Sequence, residues 1–269
     1  MVSPALPPPP QALHGAASCF VAWSRGVSAS LACRLATAAV ILLAVAGLTV
    51  AACSAGGHRG ADPVGAAAPR VVTAQADGRS RAELDVMSGA DSVTVGSAPL
   101  GGRLLRAAAL PGTGPRPRLV ISGNTVQLYL ESARTGPAAI RVTLNSAVAW
   151  RLVFSGGASQ TSVFLGHGVL RGADFTAGSS RITLRLPRPH GTVPVVLAGG
   201  ASLVTIAAPR GVPVRLSLDG GASSVLLAGR HYTGLAGGTM LAAPGWATAA
   251  DRYDVQAPAG ISQLTAGPW

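Results

Sequence analysis

The sequence predicts an all-β protein whose main domain is a single-stranded β-solenoid, built from stacked coils of about 21 residues. From Leu84 onward, apolar and polar residues alternate over short stretches, as in "LDVMSGADSVTV", which is the pattern of strands with one buried face. The chain contains 35 glycines and 20 prolines, so turns must be frequent. No segment after Leu84 shows a 3.6-residue apolar period, and we therefore expect little helix.

A repeated phrase favours the solenoid. Each repeat has a glycine, a small residue, a serine and then alternating aliphatic residues, as in "SGGASQTSVFL" and "LAGGASLVTIA". Such recurrence is typical of solenoids, in which each coil buries its apolar face only by stacking on its neighbours. The aligned glycines are Gly157, Gly178, Gly200, Gly221 and Gly260. The interval from Gly221 to Gly260 is close to two further periods, partly filled by "GGTMLAA" at 237.

Each part of the repeat has an expected place in a coil. Glycine belongs at the corners, where a positive φ or a close backbone approach excludes a Cβ. The serines should form a ladder of hydroxyl groups, bonded to one another or to turn backbones: Ser159, Ser180, Ser202, Ser223 and Ser262. The aliphatic residues should stack in a narrow core: Val163, Ile182, Val204 and Val225. Arg215 should lie on the outer face, where its replacement by serine would change stability little. A β-sandwich is the alternative fold, because it also has short strands at regular turn spacing.

The first 52 residues have the features of a leader. The stretch from Leu35 to Ala52, "LATAAVILLAVAGLTVAA", is apolar and uncharged, and it follows Arg25 and Arg34. A positive region, an apolar region and small residues before a cleavage point are the order of a secretory signal. The apolar run is also just long enough to remain as an uncleaved membrane-spanning helix. An ordinary secreted product is the third possibility, and all three place the domain outside the cytoplasm.

The residues Val50-Ala51-Ala52-Cys53 resemble the bacterial lipobox. The resemblance implies cleavage after Ala52 and attachment of a lipid to Cys53, which becomes the new N-terminus. Lipidation is the preferred hypothesis, because the small residues give a peptidase access to the backbone and the thiol is the nucleophile that accepts the lipid. The predicted location is therefore the outer face of the cell membrane.

The chain divides into three parts on these patterns. Residues 1–52 are the leader, 53–83 are a lipid-anchored flexible linker, and 84–269 are the Gly/Ser-rich repetitive β domain. The linker prediction rests on Ser54 to Ser80, which is rich in Gly, Ala and Pro and has no apolar periodicity.

The repeated "GGAS" phrase, followed by alternating aliphatic residues, is similar to the toast-rack and adhesin-head β-solenoid families of bacterial extracytoplasmic proteins. The resemblance covers about residues 145–269 and implies a fold and a location. Most members of these families have no established activity, so the resemblance supplies no catalytic residue.

We find no pattern that predicts catalysis, a metal site or a cofactor. "GHGVLRG" departs from the dinucleotide-binding spacing by one position, which favours a turn. His167, His190 and His231 are far apart and have no nearby cysteine, so we interpret them as solvated loop residues. Asp251 and Asp254 are a candidate carboxylate pair for glycoside cleavage, but residues three apart in a strand point to opposite faces.

Three aromatic residues near the C-terminus have two interpretations. Trp246, Tyr253 and Trp269 could form a platform on which a sugar stacks. The preferred interpretation is that they cap the open end of the solenoid, since an uncovered terminal coil invites edge pairing.

The net charge of +11 comes from 21 basic residues that are all arginine, a bias typical of a high-GC genome. Arg103, Arg141, Arg171, Arg215 and Arg252 are scattered along the chain, which argues against a nucleic-acid interface. The expected function is therefore a non-enzymatic, surface-anchored module for envelope binding, adhesion or structure, with an envelope glycan or protein as partner. The alternative is a polysaccharide-acting enzyme on a β-helix.

Overall fold

The computed structural model describes residues 70–110, 114–131 and 137–269, and the regular secondary structure in these ranges is β-strand. None of these residues forms a helix long and apolar enough to cross a membrane. The strands in chain order are β1 (Val71–Gln75), β2 (Arg81–Val86), β3 (Ala90–Ala98), β4 (Arg103–Ala109), β5 (Arg116–Ser122), β6 (Thr125–Glu131), β7 (Ala139–Asn145), β8 (Ala149–Phe154), β9 (Ala158–Phe164), β10 (Val169–Phe175), β11 (Ser179–Arg185), β12 (Thr192–Leu197), β13 (Ala201–Ala208), β14 (Val214–Leu218), β15 (Ala222–Leu227), β16 (Arg230–Leu235), β17 (Thr239–Ala242), β18 (Arg252–Gln256) and β19 (Ile261–Pro268). The prediction of an all-β domain is confirmed.

The strands form two mixed sheets whose inner faces contribute to one core. The ten-stranded sheet has the order β1-β4-β7-β3-β9-β11-β13-β19-β15-β16. The nine-stranded sheet has the order β17-β14-β18-β12-β10-β8-β2-β6-β5.

Successive strands alternate between the two sheets through the middle of the domain. β8, β10 and β12 run parallel in the nine-stranded sheet, and β9, β11 and β13 run parallel in the ten-stranded sheet. Each coil therefore contributes one strand to each sheet, and the coils stack as the solenoid prediction requires. The two facing sheets explain why the strand spacing also suggested a sandwich.

The final coil does not lie where its position in the sequence suggests. β18 pairs in parallel with both β12 and β14, and β19 pairs in parallel with both β13 and β15. The chain thus completes the coil β14–β15, turns back, and inserts its last coil before that one. Coil β2–β3 is inserted in the same way between β6–β7 and β8–β9.

The prediction of two further periods between Gly221 and Gly260 is wrong. The intervening residues form β16 and β17, which run antiparallel to β15 and β14. The reversal begins at Ala228 and Gly229, whose φ angles are 48° and 81°. Two successive positive φ angles are the geometry of a two-residue type I′ hairpin turn, which reverses the chain instead of continuing the coil.

The β domain begins earlier than the sequence predicts. β1 lies inside the segment 53–83 that was predicted to be linker, and it pairs antiparallel with β4. In β1 only Ala74 is fully buried, so the strand lacks the apolar alternation by which a strand is recognised in a sequence. The remaining part of the predicted linker, residues 53–69, lies outside the described residues, as does the leader.

Glycine is required at the coil corners for two reasons, as predicted. Gly221 has a φ of 75°, a conformation that a residue with a Cβ rarely adopts. At Gly199 the φ angle is ordinary, but an added Cβ would collide with the backbone of Ala177 in the neighbouring coil. Close stacking of the coils therefore depends on glycine even where the backbone is unstrained.

The core consists of rows of aliphatic side chains that run from coil to coil. Val204, Leu264 and Val225 lie in one row, so the final coil separates two valines that were predicted to be direct neighbours. Val163 is buried as predicted but belongs to the adjacent row, because it is in register with Leu184. The repeat does not reveal this two-residue shift, since both rows are apolar.

The five predicted serines are all exposed and lie at matched positions, but the predicted ladder of bonded hydroxyls is wrong. Among the described residues, no hydrogen bond joins their hydroxyl groups to one another or to a turn. Ser180 lies between residues that are in register with Ala158 and Gln160, so its hydroxyl group is level with that of Ser159. Because these hydroxyls face solvent, water satisfies them.

Candidate functional site

Cys53 and Ala52, the predicted lipidation and cleavage positions, lie outside the described residues. They remain predictions of the sequence.

The predicted histidines do not come together. His167 lies in the turn between β9 and β10, as the interpretation of "GHGVLRG" as a turn predicts. His231 lies on β16, where its Nε2 is 2.9 Å from the hydroxyl group of Ser224. Within the described ranges no three metal-ligating side chains are grouped.

The candidate carboxylate pair is divided between two separate contacts. Asp251 accepts a hydrogen bond from the backbone N–H of Gly191 at 2.7 Å. Asp254 accepts two hydrogen bonds from the Arg215 guanidinium, at 2.9 and 2.8 Å. These bonds to Arg215 lower the pKa of Asp254. A general acid for glycoside cleavage requires a raised pKa, so Asp254 has the opposite property.

The contacts of Arg215 do not agree with the expectation that its replacement changes stability little. The side chain lies on the outer face as predicted, but besides Asp254 it contacts the ring of Trp246, with 3.9 Å between the guanidinium carbon and the ring centre. Arg252 contacts the same ring at 4.3 Å. Both arginines therefore hold the segment between β17 and β18 against the nine-stranded sheet.

The three aromatic residues form neither a shared platform nor a cap. Tyr253 is fully buried, donates a hydrogen bond to the Pro187 carbonyl at 2.7 Å, and has a pKa raised by burial. Trp246 is held by the two arginines, and its indole N–H donates to the Tyr253 carbonyl. Trp269 lies instead beside Arg185, 3.9 Å from its guanidinium carbon. The edge strands β16 and β17, one in each sheet, occupy the end of the stack that the aromatic residues were predicted to cover.

On the outer face of the nine-stranded sheet, carboxylates and arginines compensate one another. Arg118 pairs with Glu131 at 2.8 Å, and Arg151 lies 2.6 Å from Asp174. A cleft of about 190 Å³ on this face is lined by Arg81, Glu83, Asn124, Thr125, Arg151 and Arg171. Glu83 lies 3.8 Å from Arg151, so the cleft contains its own counter-charge.

The ten-stranded sheet differs in charge. Its described strands carry one carboxylate, Asp91, which lies at a corner and accepts a hydrogen bond from the Ala138 N–H at 2.7 Å. The same strands carry several exposed arginines: Arg103, Arg106, Arg141, Arg181, Arg185 and Arg230. Both sheets carry arginines, but the fold places nearly all the strand carboxylates on the nine-stranded sheet, so the ten-stranded sheet presents uncompensated positive charge.

Hydroxyl groups lie in register between these arginines. The parallel strands place one outward-facing Ser or Thr beside the next. The row begins at Arg141 and continues through Thr94, Ser162, Thr183, Thr205 and Thr265. These side chains alternate with buried residues along their strands, and the hydroxyl residues are half-exposed. We call the following group the arginine–hydroxyl face: Arg106, Arg141, Arg181, Arg185, Thr94, Ser162, Thr183, Thr205 and Thr265.

The sequence contains a signal for this face that the search for motifs missed. A Ser or Thr follows each repeat glycine at the same distance in four repeats, giving Ser162, Thr183, Thr205 and Thr265. The same residues also belong to the polar half of the strand alternation, which is why the pattern does not stand out. The arginines carry no such signal, because Arg106 and Arg141 belong to strands outside the regular repeat.

The fold and this face define an all-β domain of stacked parallel coils with an extended polar surface. No protein-family model matches the chain, and no curated protein matches it in sequence. Among solved structures, it is similar to a "putative cell adhesion protein" from Clostridium sporogenes ATCC 15579, with a TM-score of 0.51 and 10% identity over 73% of this chain and 98% of that one. This likeness establishes a shared fold.

A "putative adhesin" from Bacteroides fragilis NCTC 9343 matches 73% of this chain and 97% of its own, with 10% identity. Its TM-score is 0.22.

Proposed function

We propose that this protein is a non-enzymatic module anchored at the outer face of the cell membrane, where it binds a partner in the cell envelope. The observation that carries the proposal is the arginine–hydroxyl face, an exposed surface of positive charge and hydroxyl groups on a stack of coils. A surface of this kind attracts an anionic partner over several ångströms and then offers it hydrogen bonds. The shared fold with a protein described as a "putative cell adhesion protein" supports the same function.

The absence of enzymatic activity is supported by the state of the carboxylates. Asp174 and Asp254, on the nine-stranded sheet, are paired with arginines, and Asp251, just before β18, accepts a hydrogen bond from a backbone N–H. Polysaccharide cleavage needs two carboxyl groups on either side of the bond, one of them protonated at working pH. If the purified protein shortened an envelope polysaccharide, this part of the proposal would be wrong.

The anchor in this proposal is a lipid on Cys53, attached after cleavage following Ala52. The sequence supports it through the apolar run and the lipobox resemblance. The domain then faces the envelope, connected to the membrane through the N-terminal part of the chain.

The anchor can be tested with two cysteine variants. We expect Cys53→Ala to release the protein from the membrane fraction or leave an unprocessed chain of higher mass. Cys33→Ala is the matched control and should fractionate like the wild type, because Cys33 precedes the cleavage point. Unchanged fractionation and mass for Cys53→Ala would exclude the lipid anchor, and recovery of the protein in the cytoplasm would exclude the proposed location.

A further inference from the structure

The arginines of the ten-stranded sheet are available for a ligand. Arg106, Arg141 and Arg181 are exposed and make no ion pair or hydrogen bond within the described part of the chain. Arg185 contacts the Trp269 ring, which leaves its charge uncompensated. A negatively charged ligand would therefore not have to displace an existing carboxylate.

The spacing of the arginines indicates a ligand with several charges. Arg106 and Arg185 lie in one row across β4, β7, β3, β9 and β11, as the register through Thr143, Gly96 and Phe164 shows. Four strand intervals correspond to roughly 19 Å. A single carboxylate, sulfate or phosphate cannot reach both arginines, whereas a linear polymer with regularly spaced charges can.

The groups between the arginines are those that recognise sugars. The row of Thr and Ser hydroxyls can both donate and accept hydrogen bonds, as sugar hydroxyls do. Two amide side chains, Gln160 and Gln263, are exposed in the adjacent row. Because the row runs across the strands, a polymer that follows it meets a new hydroxyl about every 4.8 Å.

An exposed aromatic ring lies in the same surface. Phe164 is 44% exposed, and its neighbour in register on β3 is Gly96, which has no side chain to cover the ring. The C–H face of a pyranose can pack on such a ring while its charged groups reach the arginines. The fold gives no reason for a phenylalanine at this position, since its side chain points away from the core.

We infer that the arginine–hydroxyl face binds an acidic polysaccharide whose chain crosses the strands of the ten-stranded sheet. The inference rests on the proposed function, because the envelope location brings the face into contact with such polymers. Nucleic acid and anionic membranes also carry repeated negative charge, but neither requires the row of hydroxyl and amide groups. Binding of nucleic acid and binding of anionic membranes are therefore measured in the same test.

The test compares two charge-matched double variants of the full chain, purified in detergent. Arg141→Gln/Arg181→Gln removes two charges from the arginine–hydroxyl face. Arg81→Gln/Arg171→Gln removes two exposed arginines from the nine-stranded sheet and is the control. Binding of polygalacturonate, a linear uronate polymer, is measured by biolayer interferometry, with neutral dextran, duplex DNA and anionic phospholipid vesicles as the other probes.

We expect the wild type to bind polygalacturonate in preference to the other three probes. The face variant should weaken this binding about tenfold and the control variant less than twofold, with thermal unfolding unchanged in both. The single variant Phe164→Ser should also bind polygalacturonate more weakly than the wild type. Ile121→Ser, a change at an equally exposed residue of the nine-stranded sheet, should not. Galacturonate monomer should fail to compete at the same uronate concentration.

Three results would overturn the inference: equal weakening by both double variants, tighter binding of DNA or vesicles than of polygalacturonate, and no binding of polygalacturonate. If the protein is found at the cell surface but gives one of these results, the acidic polysaccharide is wrong and the proposed function stands. If the protein is absent from the cell surface, the proposed function itself fails.

Discussion

The contact of Arg215 with Asp254 and Trp246 allows a quantitative prediction of stability. Replacing Arg215 with Ser leaves the Asp254 carboxylate, of which 11% of the side chain is exposed, without its main partner. Removing one member of a buried ion pair costs about 3–5 kcal/mol, and the loss of the contact with the Trp246 ring adds about 0.5–2 kcal/mol. Since Arg215 itself is 26% exposed, water partly replaces it, and we expect a loss of about 2–4 kcal/mol.

Thermal unfolding of the full chain, followed by circular dichroism, measures this loss. In a domain of this size 1 kcal/mol shifts Tm by about 2–4 °C, so Arg215→Ser should lower Tm by about 4–16 °C. Arg141→Ser is the control, because Arg141 is exposed and unpaired within the described residues, and it should change Tm by no more than about 2 °C. Arg215→Lys should be intermediate, since it keeps the charge but not the two parallel hydrogen bonds. Equal melting of the Arg215→Ser and Arg141→Ser variants would refute the assignment of Arg215 as a structural residue.

Four further predictions follow from the fold. Val225→Asp, at a fully buried position, should cost several kcal/mol or unfold the domain, and a chemical denaturation midpoint equal to that of the wild type would show that the inward assignment is wrong. Gly199→Ala should lower Tm, because its Cβ meets the Ala177 backbone, whereas Gly102→Ala, with open space around it, should not; the comparison of the two melts is the check. The ion pair of Asp254 with Arg215 should stabilise the domain fully above the ordinary Asp pKa of about 4, and this stabilisation should be lost as pH falls through the lower pKa of the folded state. The difference in Tm between the wild type and Asp254→Asn should therefore shrink in strong acid. A difference in Tm that does not change with pH would contradict the ion pair. Deleting residues 252–269 should destroy cooperative unfolding, because this removes a coil from inside the stack; retention of a single sharp transition would show that the last coil is terminal instead.

The coils could be predicted from the sequence because their cause is local. A glycine corner followed by alternating aliphatic residues specifies one turn of the coil, and Gly199 and Gly221 show why the corner needs glycine. The buried state of Val204 and Val225 follows from the same alternation.

The order of the coils could not be predicted in this way. Whether Val225 packs against Val204 or against Leu264 depends on which parallel strands pair, and the repeats are too similar to distinguish the two. The hairpin at Ala228 and Gly229 was the local signal for the reversal, but an Ala-Gly pair is a weaker turn signal than Asn-Gly.

The candidate site depends on strand register, which explains why the sequence did not reveal it. Arg106 and Arg185 are far apart in the chain and share one row only because three strands lie between them in the sheet. Asp254 illustrates the converse, since its pairing with Arg215 removes a carboxylate that was a candidate for glycoside cleavage. The predicted cleavage and lipidation positions, Ala52 and Cys53, lie outside the described residues and stay predictions of the sequence.

The binding surface of the protein can be located most directly by chemical labelling of its arginines. The full chain is treated with phenylglyoxal in the presence and absence of isolated cell envelope, and the labelled arginines are identified by mass spectrometry. We expect bound envelope material to protect Arg106, Arg141 and Arg181, while Arg81 and Arg171 on the opposite sheet remain reactive. Protection of Arg81 and Arg171 instead, or equal labelling of all five with and without envelope, would show that the ten-stranded sheet is not the binding surface.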